Sequence, residues 1–490
     1  MSKPYYITTT LPYVNSDPHV GFAMELIRAD IIARYQALNG REVFFNTGTD
    51  EHGIKIYRKA KEQGIDTQKY VDGYAARFRE LAARLDIATG LSNMHFNFIR
   101  TTDAHHVAAA QAFWKLVDER GKTDPRGPFI YKKQYVVKYC VGCELEKTDS
   151  ELVNGKCPLH PIMELEAINE ENYFFKLSAF QNDLLALYER NPTLVVPDFR
   201  FNEIRQFVAS GLDDISVSRL ASKMPWGIPV PGDADHVMYV WFDALVDYIS
   251  AIGWPEDSDT FKKWWVDSGG VVQYCGKDNV RQQSLTWQSM LIAAGLPASQ
   301  TIVIDGFVTG EGGVKMSKSL GNVISPFAVM DEYGAEALRY FVARELQPFE
   351  DSPFTMEKFK EAYNAHLANG IGNLTSRIMK LAETHLPGPI AREPIIDESL
   401  SKSFQSFNIK SACDHIWSSA QSLDARIQSE QPFKVVKEDP EKGKQLIASL
   451  VAGLADVAFA LRPIMPQTAR AIADCVARNK MPSQPLFMRK

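Results

Sequence analysis

The stretch from Pro4 to Gly53 limits the fold more than any other part of this chain. It opens with "PYYITTTLPYV", β-branched and aromatic as a buried strand is. "NSDPHVG" follows with turn residues, and "FAMELIRADIIARYQALNG" then places apolar residues at helical spacing, with Gly40 as the stop. "REVFFNTGTDEHG" is a second short apolar strand ending in a polar cluster. Strand, helix, strand at this spacing is a βαβ unit, and it predicts a parallel sheet. Ligands of such sheets bind beyond the carboxyl ends of the strands. His19 begins the helix, and Asp50 with His52 ends the second strand, so these residues are expected to face one crevice. A histidine at a helix N-terminus suits a phosphate, although a plain cap or surface residue is the commoner case. The chain has no G-x-x-x-x-G-K-[ST] and no G-x-G-x-x-G after the first strand, which excludes a P-loop or a dinucleotide fingerprint.

At 490 residues and 45% hydrophobic, the chain is long enough for two to four domains. A net charge of −6 rules out a charge-driven, sequence-blind nucleic-acid binder and leaves room for a local basic groove. "MSKPYYITTTLPY" lacks the charged-then-apolar pattern of a signal peptide, so a cytoplasmic setting is expected. The longest apolar stretch, Leu446 to Pro463, is interrupted by Asp456 and is short for a bilayer. It reads as a buried bundle helix, and no membrane partner is expected. The neighbouring sequence agrees. Ser325-Pro326 looks like a helix cap with proline in the first turn, and Thr355 starts a helix running through "MEKFKEAYNAHLANGIGNLTSRIMKLAETH". After the break "LPGPIAREP", amphipathic helices continue to near Lys490, as in a helix bundle.

Six cysteines are too few for a secreted disulfide framework. Cys275, Cys413 and Cys475 are scattered, but Cys140, Cys143 and Cys157 cluster with His160 in "YCVGCELEKTDSELVNGKCPLH". C-x2-C followed by C-x2-H supplies two ligands from each of two knuckles, the pattern zinc takes in a tetrahedron. Gly142 and Gly155 allow the tight turns. With all four positions filled by protein, the expected site holds one zinc ion per chain and is structural. Three reduced thiols beside a surface histidine is the blander reading.

"GGVKMSKSLGN", Gly312 to Asn322, sets two lysines on a glycine-rich loop behind the strand "TIVIDGFV". "KMSKS" and "PHVG", in this order reversed along the chain, resemble the two nucleotide-binding motifs of class I aminoacyl-tRNA synthetases. Together with "LPYVNSDPHVG", "NTGTDEHG", "YVWFDALVDY" and "CGKD" they resemble the methionyl-tRNA synthetase family over nearly the whole chain. The resemblance implies that methionine and ATP form methionyl-adenylate and pyrophosphate, and that the aminoacyl group then passes to tRNA(Met), initiator tRNA included. It implies Mg2+ with the ATP. Lys315 and Lys318 would stabilise charge on the phosphoryl oxygens. His19, Gly21, Asp278 and Ser317 would join them around ATP. Leu11, Tyr13, Asp50, Trp241, Ala244 and Tyr248 would hold methionine, with Asp50 on the ammonium, kept ionised by Arg219. Trp241 taken alone reads as a core aromatic. Asn373 and Arg377 in "NLTSR" share a helix face and, with Phe433, would meet the anticodon. Without the resemblance the Asn-x3-Arg pair reads as a solvated face.

Four positions depart from the family pattern. Phe22 stands where a second histidine is usual and can only pack. Gln282 and Gln283 replace an aromatic and a histidine, and Phe433 replaces a tryptophan. The predicted fold is α/β, a parallel Rossmann-like catalytic sheet with an inserted zinc-binding domain and a C-terminal α-helical bundle. The predicted boundaries are 1–117 and 226–300 for the two catalytic halves and 118–225 for the connective insertion with the knuckle. The KMSKS segment takes 301–354 and the anticodon-binding bundle 355–490. The insertion is too short for a large editing domain, and a monomer is expected. Cysteinyl-tRNA synthetase is disfavoured because its zinc sits with the substrate. A non-catalytic tRNA-binding relative is disfavoured by the intact KMSKS, and a small-molecule nucleotidyltransferase by the bundle.

Overall fold

The computed structural model describes residues 2–147, 149–314, 316, 323–390 and 398–490. The chain divides into two compact units. The first is Met1–Asp17, Phe44–Glu80 and His95–Ile304; the second is Pro18–Val43, Leu81–Met94 and Asp305–Lys490.

The expected strand–helix–strand start is present as β1 (Tyr5–Thr9), α1 (Val20–Leu38) and β2 (Val43–Thr49). All five residues of β1 are buried, which explains its uninterrupted apolar and threonine character. A six-stranded sheet runs in the order Met94–Arg100, β2, β1, Val271–Gly276, Thr301–Asp305, Val195–Val196. β1 pairs parallel with Val271–Gly276, Tyr6 opposite Val271 and Thr9 opposite Tyr274. The core of the first unit gathers Phe113, Trp114, Trp264, Trp265 and Trp287 with the apolar residues of the central strands. Beyond β2 the chain turns at Gly53 into α2 (Ile54–Glu62).

The insertion is built on a long antiparallel hairpin, Ile130–Cys140 against Glu166–Phe175, with Ile130 opposite Phe175 and Tyr139 opposite Glu166. The cysteines therefore sit at the distal end of the ribbon. A short strand, Leu145–Lys147, folds back on Cys140.

In the second unit the two predicted caps form. Ser325 Oγ accepts from the Ala328 N–H at 3.5 Å with Pro326 in the first turn, and Thr355 Oγ1 accepts from the Lys358 N–H at 3.3 Å. The helix expected to run unbroken from Met356 does not. Met356–Ala362 gives way to a wide-turned segment, Tyr363–Gly372, in which Gly370 leaves helical geometry at φ −88°, ψ −109°; regular helix resumes at Asn373–His385. Glycine tolerates that conformation without side-chain clashes. The apolar stretch belongs to a longer helix than expected. Pro440–Leu461 is long and apolar enough to cross a bilayer, yet Ile447, Leu450, Val451, Leu454, Val457 and Leu461 are buried within the bundle.

Candidate functional site

Beyond the ends of β1 and β2 the two segments stay together for one more step. The Val14 N–H donates to the Asp50 carbonyl at 3.2 Å, the Asp50 N–H to the Pro12 carbonyl at 3.0 Å, and Tyr13 faces Asp50 in a parallel bridge. This register sets Leu11 and Tyr13 beside Asp50. Trp241 and Ala244 lie on the short helix Val240–Ala244, and Tyr248 on the next, Asp247–Ser250. Two bonds tie that segment to the sheet: Tyr6 Oη donates to the Tyr248 carbonyl at 2.8 Å, and Asn46 Nδ2 to Asp247 Oδ1 at 3.2 Å. Leu11, Asp50, Ala244 and Tyr248 are buried; Tyr13 and Trp241 are half-buried. All six residues of the sequence-predicted amino-acid group lie in the first unit.

Its polar atoms are left open in a telling way. Asp50 Oδ1, Trp241 Nε1 and both carboxylate oxygens of Asp243 are buried with no hydrogen-bond partner among the described residues. His52 Nδ1 lies 3.2 Å from Asp243 Oδ2, close enough for an ion pair but out of line for a hydrogen bond. Burial, reinforced by the charges of Asp243 and Glu144, pushes the Asp50 carboxyl well above its ordinary range. Burial also raises Asp243, with His52 opposing. Two such carboxylates form a place where a cation is wanted. Asp243 was not singled out in the sequence; its signal was an acid inside the apolar run "YVWFDALV".

Arg219, expected to pair with Asp50, is held from the strand side. Its guanidinium donates to Ser216 Oγ at 2.8 Å and to the Ser218 carbonyl at 2.7 Å, and lies 4.2 Å from the centre of the Tyr239 ring. The strand Ser218–Leu220 fixes this, because Arg219 pairs with Val237. The Gln283 departure also acquires a structure. Gln283 Nε2 donates to Tyr248 Oη at 2.6 Å, while Gln283 Oε1 accepts from Gln273 Nε2 at 2.7 Å. Ser299 Oγ in turn donates to Gln273 Oε1 at 2.6 Å. A closed amide chain therefore orients the Tyr248 hydroxyl. Gln282 is buried in the same turn.

His19 is the N-cap of α1: its Nδ1 accepts from the Gly21 N–H at 3.0 Å. In neutral imidazole this puts the proton on Nε2, which is then a donor. A Cβ on residue 21 would stand 2.8 Å from His19 Cε1, so a side chain there would displace the capping ring. Phe22 packs on the His19 ring at 4.7 Å between centroids, an aromatic support in place of a second donor. Asp278 is exposed on the turn that ends the central strand Val271–Gly276. Lys315, Ser317 and Lys318 lie outside the described residues. In the second unit Asn373 is exposed at the first position of its helix, and Arg377, half-buried, pairs with Asp424. Phe433 is 42% exposed.

Cys140, Cys143, Cys157 and His160 bring one donor atom each within 4.8 Å of one another. Cys143 Sγ lies 3.2 Å from His160 Nδ1 and 3.5 Å from Cys157 Sγ, and Cys140 Sγ lies 3.7 Å from His160 Nδ1. Ligands about 2.3 Å from a tetrahedral ion stand about 3.8 Å apart, so the cluster is close to the size of a metal cage. Gly142 lets the His160 ring approach, since a Cβ there would lie 2.6 Å from it and push it aside. The set can hold a metal.

The profile of the family described as "tRNA synthetases class I (M)" matches residues 5–169 and 161–379. Methionine--tRNA ligase of Caldanaerobacter subterraneus subsp. tengcongensis is 37% identical over 96% of this chain and 73% of its own length. That of Thermosynechococcus vestitus is 36% identical over 96% of this chain and 90% of its own. The structure of Mycobacterium tuberculosis methionyl-tRNA synthetase in complex with methionyl-adenylate superposes with a TM-score of 0.88 at 30% identity, covering 100% of both chains. On the sheet, the insertion, the bundle and these matches, the chain belongs to the class I tRNA synthetases, in the family of the methionine–tRNA ligases.

Proposed function

We infer that this chain activates L-methionine with ATP and passes the methionyl group to a methionine tRNA. The observation that carries the reading is the buried Asp50 carboxylate, whose Oδ1 has no hydrogen-bond partner among the described residues, opposite Tyr13, in a chain so like a synthetase solved with methionyl-adenylate. Asp50 takes the substrate ammonium. Leu11, Tyr13, Trp241, Ala244 and Tyr248 enclose the thioether, an unbranched polarizable group that aromatic walls suit. The methionine carboxylate oxygen attacks the α-phosphorus of ATP while pyrophosphate leaves. The protein's part is to position and to neutralise developing charge. His19 Nε2–H, with Gly21 leaving room for the nucleotide, faces the phosphates in this reading, and Asp278 the ribose. Lys315, Ser317 and Lys318 close on the phosphates, and Mg2+ accompanies the ATP. Zinc in the Cys3His cluster contributes folding energy to the insertion. Asn373, Arg377 and Phe433 read the anticodon of elongator and initiator tRNA. The enzyme acts as a cytoplasmic monomer.

The test is ATP–pyrophosphate exchange with each of the twenty amino acids. Methionine alone should support rapid exchange, and Lys318→Ala should slow it far more than it weakens methionine binding. Faster exchange with cysteine would overturn the assignment.

A further inference from the structure

Glu144 follows directly on the knuckle ligand Cys143, and the mechanism above makes no use of it. It is buried at 5% exposure and adopts a left-handed backbone, φ 54°, which a non-glycine residue holds at a cost. Its carboxylate collects three donors. Tyr13 Oη donates to Oε1 at 2.9 Å, Tyr139 Oη to Oε2 at 2.5 Å, and the Lys55 N–H, in the open first turn of α2, to Oε1 at 3.3 Å. The last contact supplies an acceptor to a helix N-terminus that has no side-chain cap of its own, since its cap residue is Gly53. Gly53 also makes the geometry possible: a Cβ there would stand 2.3 Å from Tyr13 Oη. Lys55 Nζ reaches back to the carbonyl of Gly142, inside the first knuckle, at 3.5 Å.

We propose that Glu144 is a positioning residue that couples the metal knuckle to the amino-acid pocket by holding the Tyr13 hydroxyl and the start of α2. The proposal rests on the reading that Tyr13 lines the methionine site. A metal held by Cys143 would fix the backbone of the next residue, Glu144, in its left-handed turn. Its side chain then transmits that placement to Tyr13 and, through α2, to the segment carrying Asp50. Linkage makes the coupling reciprocal: if the intact knuckle favours methionine binding, bound methionine must favour the intact knuckle.

Two measurements on the zinc-loaded protein test this. In the first, methionine and ATP affinities are compared in Glu144→Asn and Glu144→Gln. Asparagine tolerates the left-handed backbone but is too short to reach Tyr13, so methionine Kd should rise about tenfold with ATP Kd unchanged. Glutamine keeps an acceptor at the same reach and should restore most of the affinity. In the second, a colorimetric chelator captures zinc with and without saturating methionine. Methionine should slow release severalfold in the parent protein and leave it unchanged in Glu144→Asn and in Tyr13→Phe. If the parent binds methionine but its zinc leaves at the same rate either way, or if Glu144→Asn binds methionine as tightly as the parent, the coupling is wrong. A parent protein that fails to bind methionine at all overturns the functional reading instead.

Discussion

Asp30 lies in the second unit and Asp50 in the first, and both side chains are cut off from water, at 0% and 6% exposure. Asp30 is saturated. Its Oδ2 lies 2.7 Å from Arg34 Nε and 2.7 Å from an Arg339 nitrogen, and its Oδ1 accepts the Ala88 N–H at 2.7 Å. The two arginines are completed by carbonyls: Arg339 by Ile464, Leu85 and Pro463, Arg34 by Thr89 and Asp86. Asp50 has its neighbours' negative charge and an open oxygen. A buried carboxylate with both oxygens answered belongs to the fold, and it pins a turn in which Asp86 and Ala88 hold positive φ. A buried carboxylate with an open oxygen is a cost the fold carries, which a proton or a bound cation relieves.

The largest effect should follow from breaking the saturated member. Asp30→Ala leaves two buried guanidiniums facing each other, and should destabilise the protein by about 3–5 kcal/mol in denaturant titration. Asp50→Ala should lose no stability, because it removes a charge the apo fold does not satisfy. It should instead lower kcat/KM for methionine-dependent exchange by about 100-fold, or about 2.7 kcal/mol. Equal loss of stability in both variants would erase the distinction.

A pH series sharpens it. Because the folded chain raises Asp50 and Asp243 above the unfolded carboxylate value near 4, the native state holds more protons than the unfolded one from that pH up to the raised values. These two groups therefore make stability fall as pH rises through the window. Methionine needs the ionised form, so its stabilisation of the protein should grow over the same window. Asp50→Asn should flatten both trends. A methionine-induced Tm shift that declines from pH 5 to pH 8 would contradict the assignment of Asp50 to the ammonium.

The same contrast explains what could be read from the sequence. The βαβ start, the knuckle and the caps at Ser325 and Thr355 are local: their residue types and spacings act within a few positions. Arg28, Asp30 and Arg34 were invisible. On α1 they look like the solvated side of a helix, yet all three are buried, because their partners come from far along the chain. Arg28, for example, pairs with Asp305 at 3.1 Å and donates to carbonyls of residues 346–348. Asp243 and Glu144 escaped for the same reason. Arg219 is placed by strand register, which no local pattern encodes, and the expected continuous helix is interrupted by the wide-turned segment Tyr363–Gly372. Gln283, which stands where the family pattern has a histidine, joins an amide chain with Gln273 and Ser299 whose members are far apart in the sequence.

The smallest predicted effects lie in the bundle, where a paired and a bare side chain are again set against each other. Arg377 is held by Asp424 and must share that carboxylate to grip a base or phosphate. Phe433 has no such tie. It follows Pro432 at the start of the helix Pro432–Glu438, entered from Gln431 at φ 44°, and Pro432 and Val436 are buried while Phe433 stays 42% exposed. The helix is pressed closely on its neighbour: a Cβ at Gly443 would stand 2.2 Å from Val436 Cα. A fixed turn thus presents an aromatic face to solvent, which core packing does not explain. Stacking on a base contributes roughly 1–3 kcal/mol. Phe433→Ala should therefore lower aminoacylation of a CAU-anticodon tRNA by about tenfold, about 1.4 kcal/mol, with stability changed by less than about 0.5 kcal/mol and tRNA-free exchange unaltered. Arg377→Ala should cost a similar factor, and Asp424→Asn, which releases the guanidinium, should strengthen tRNA binding instead. Normal charging by Phe433→Ala would move the anticodon contact elsewhere on the bundle and leave the exposed ring without a ligand.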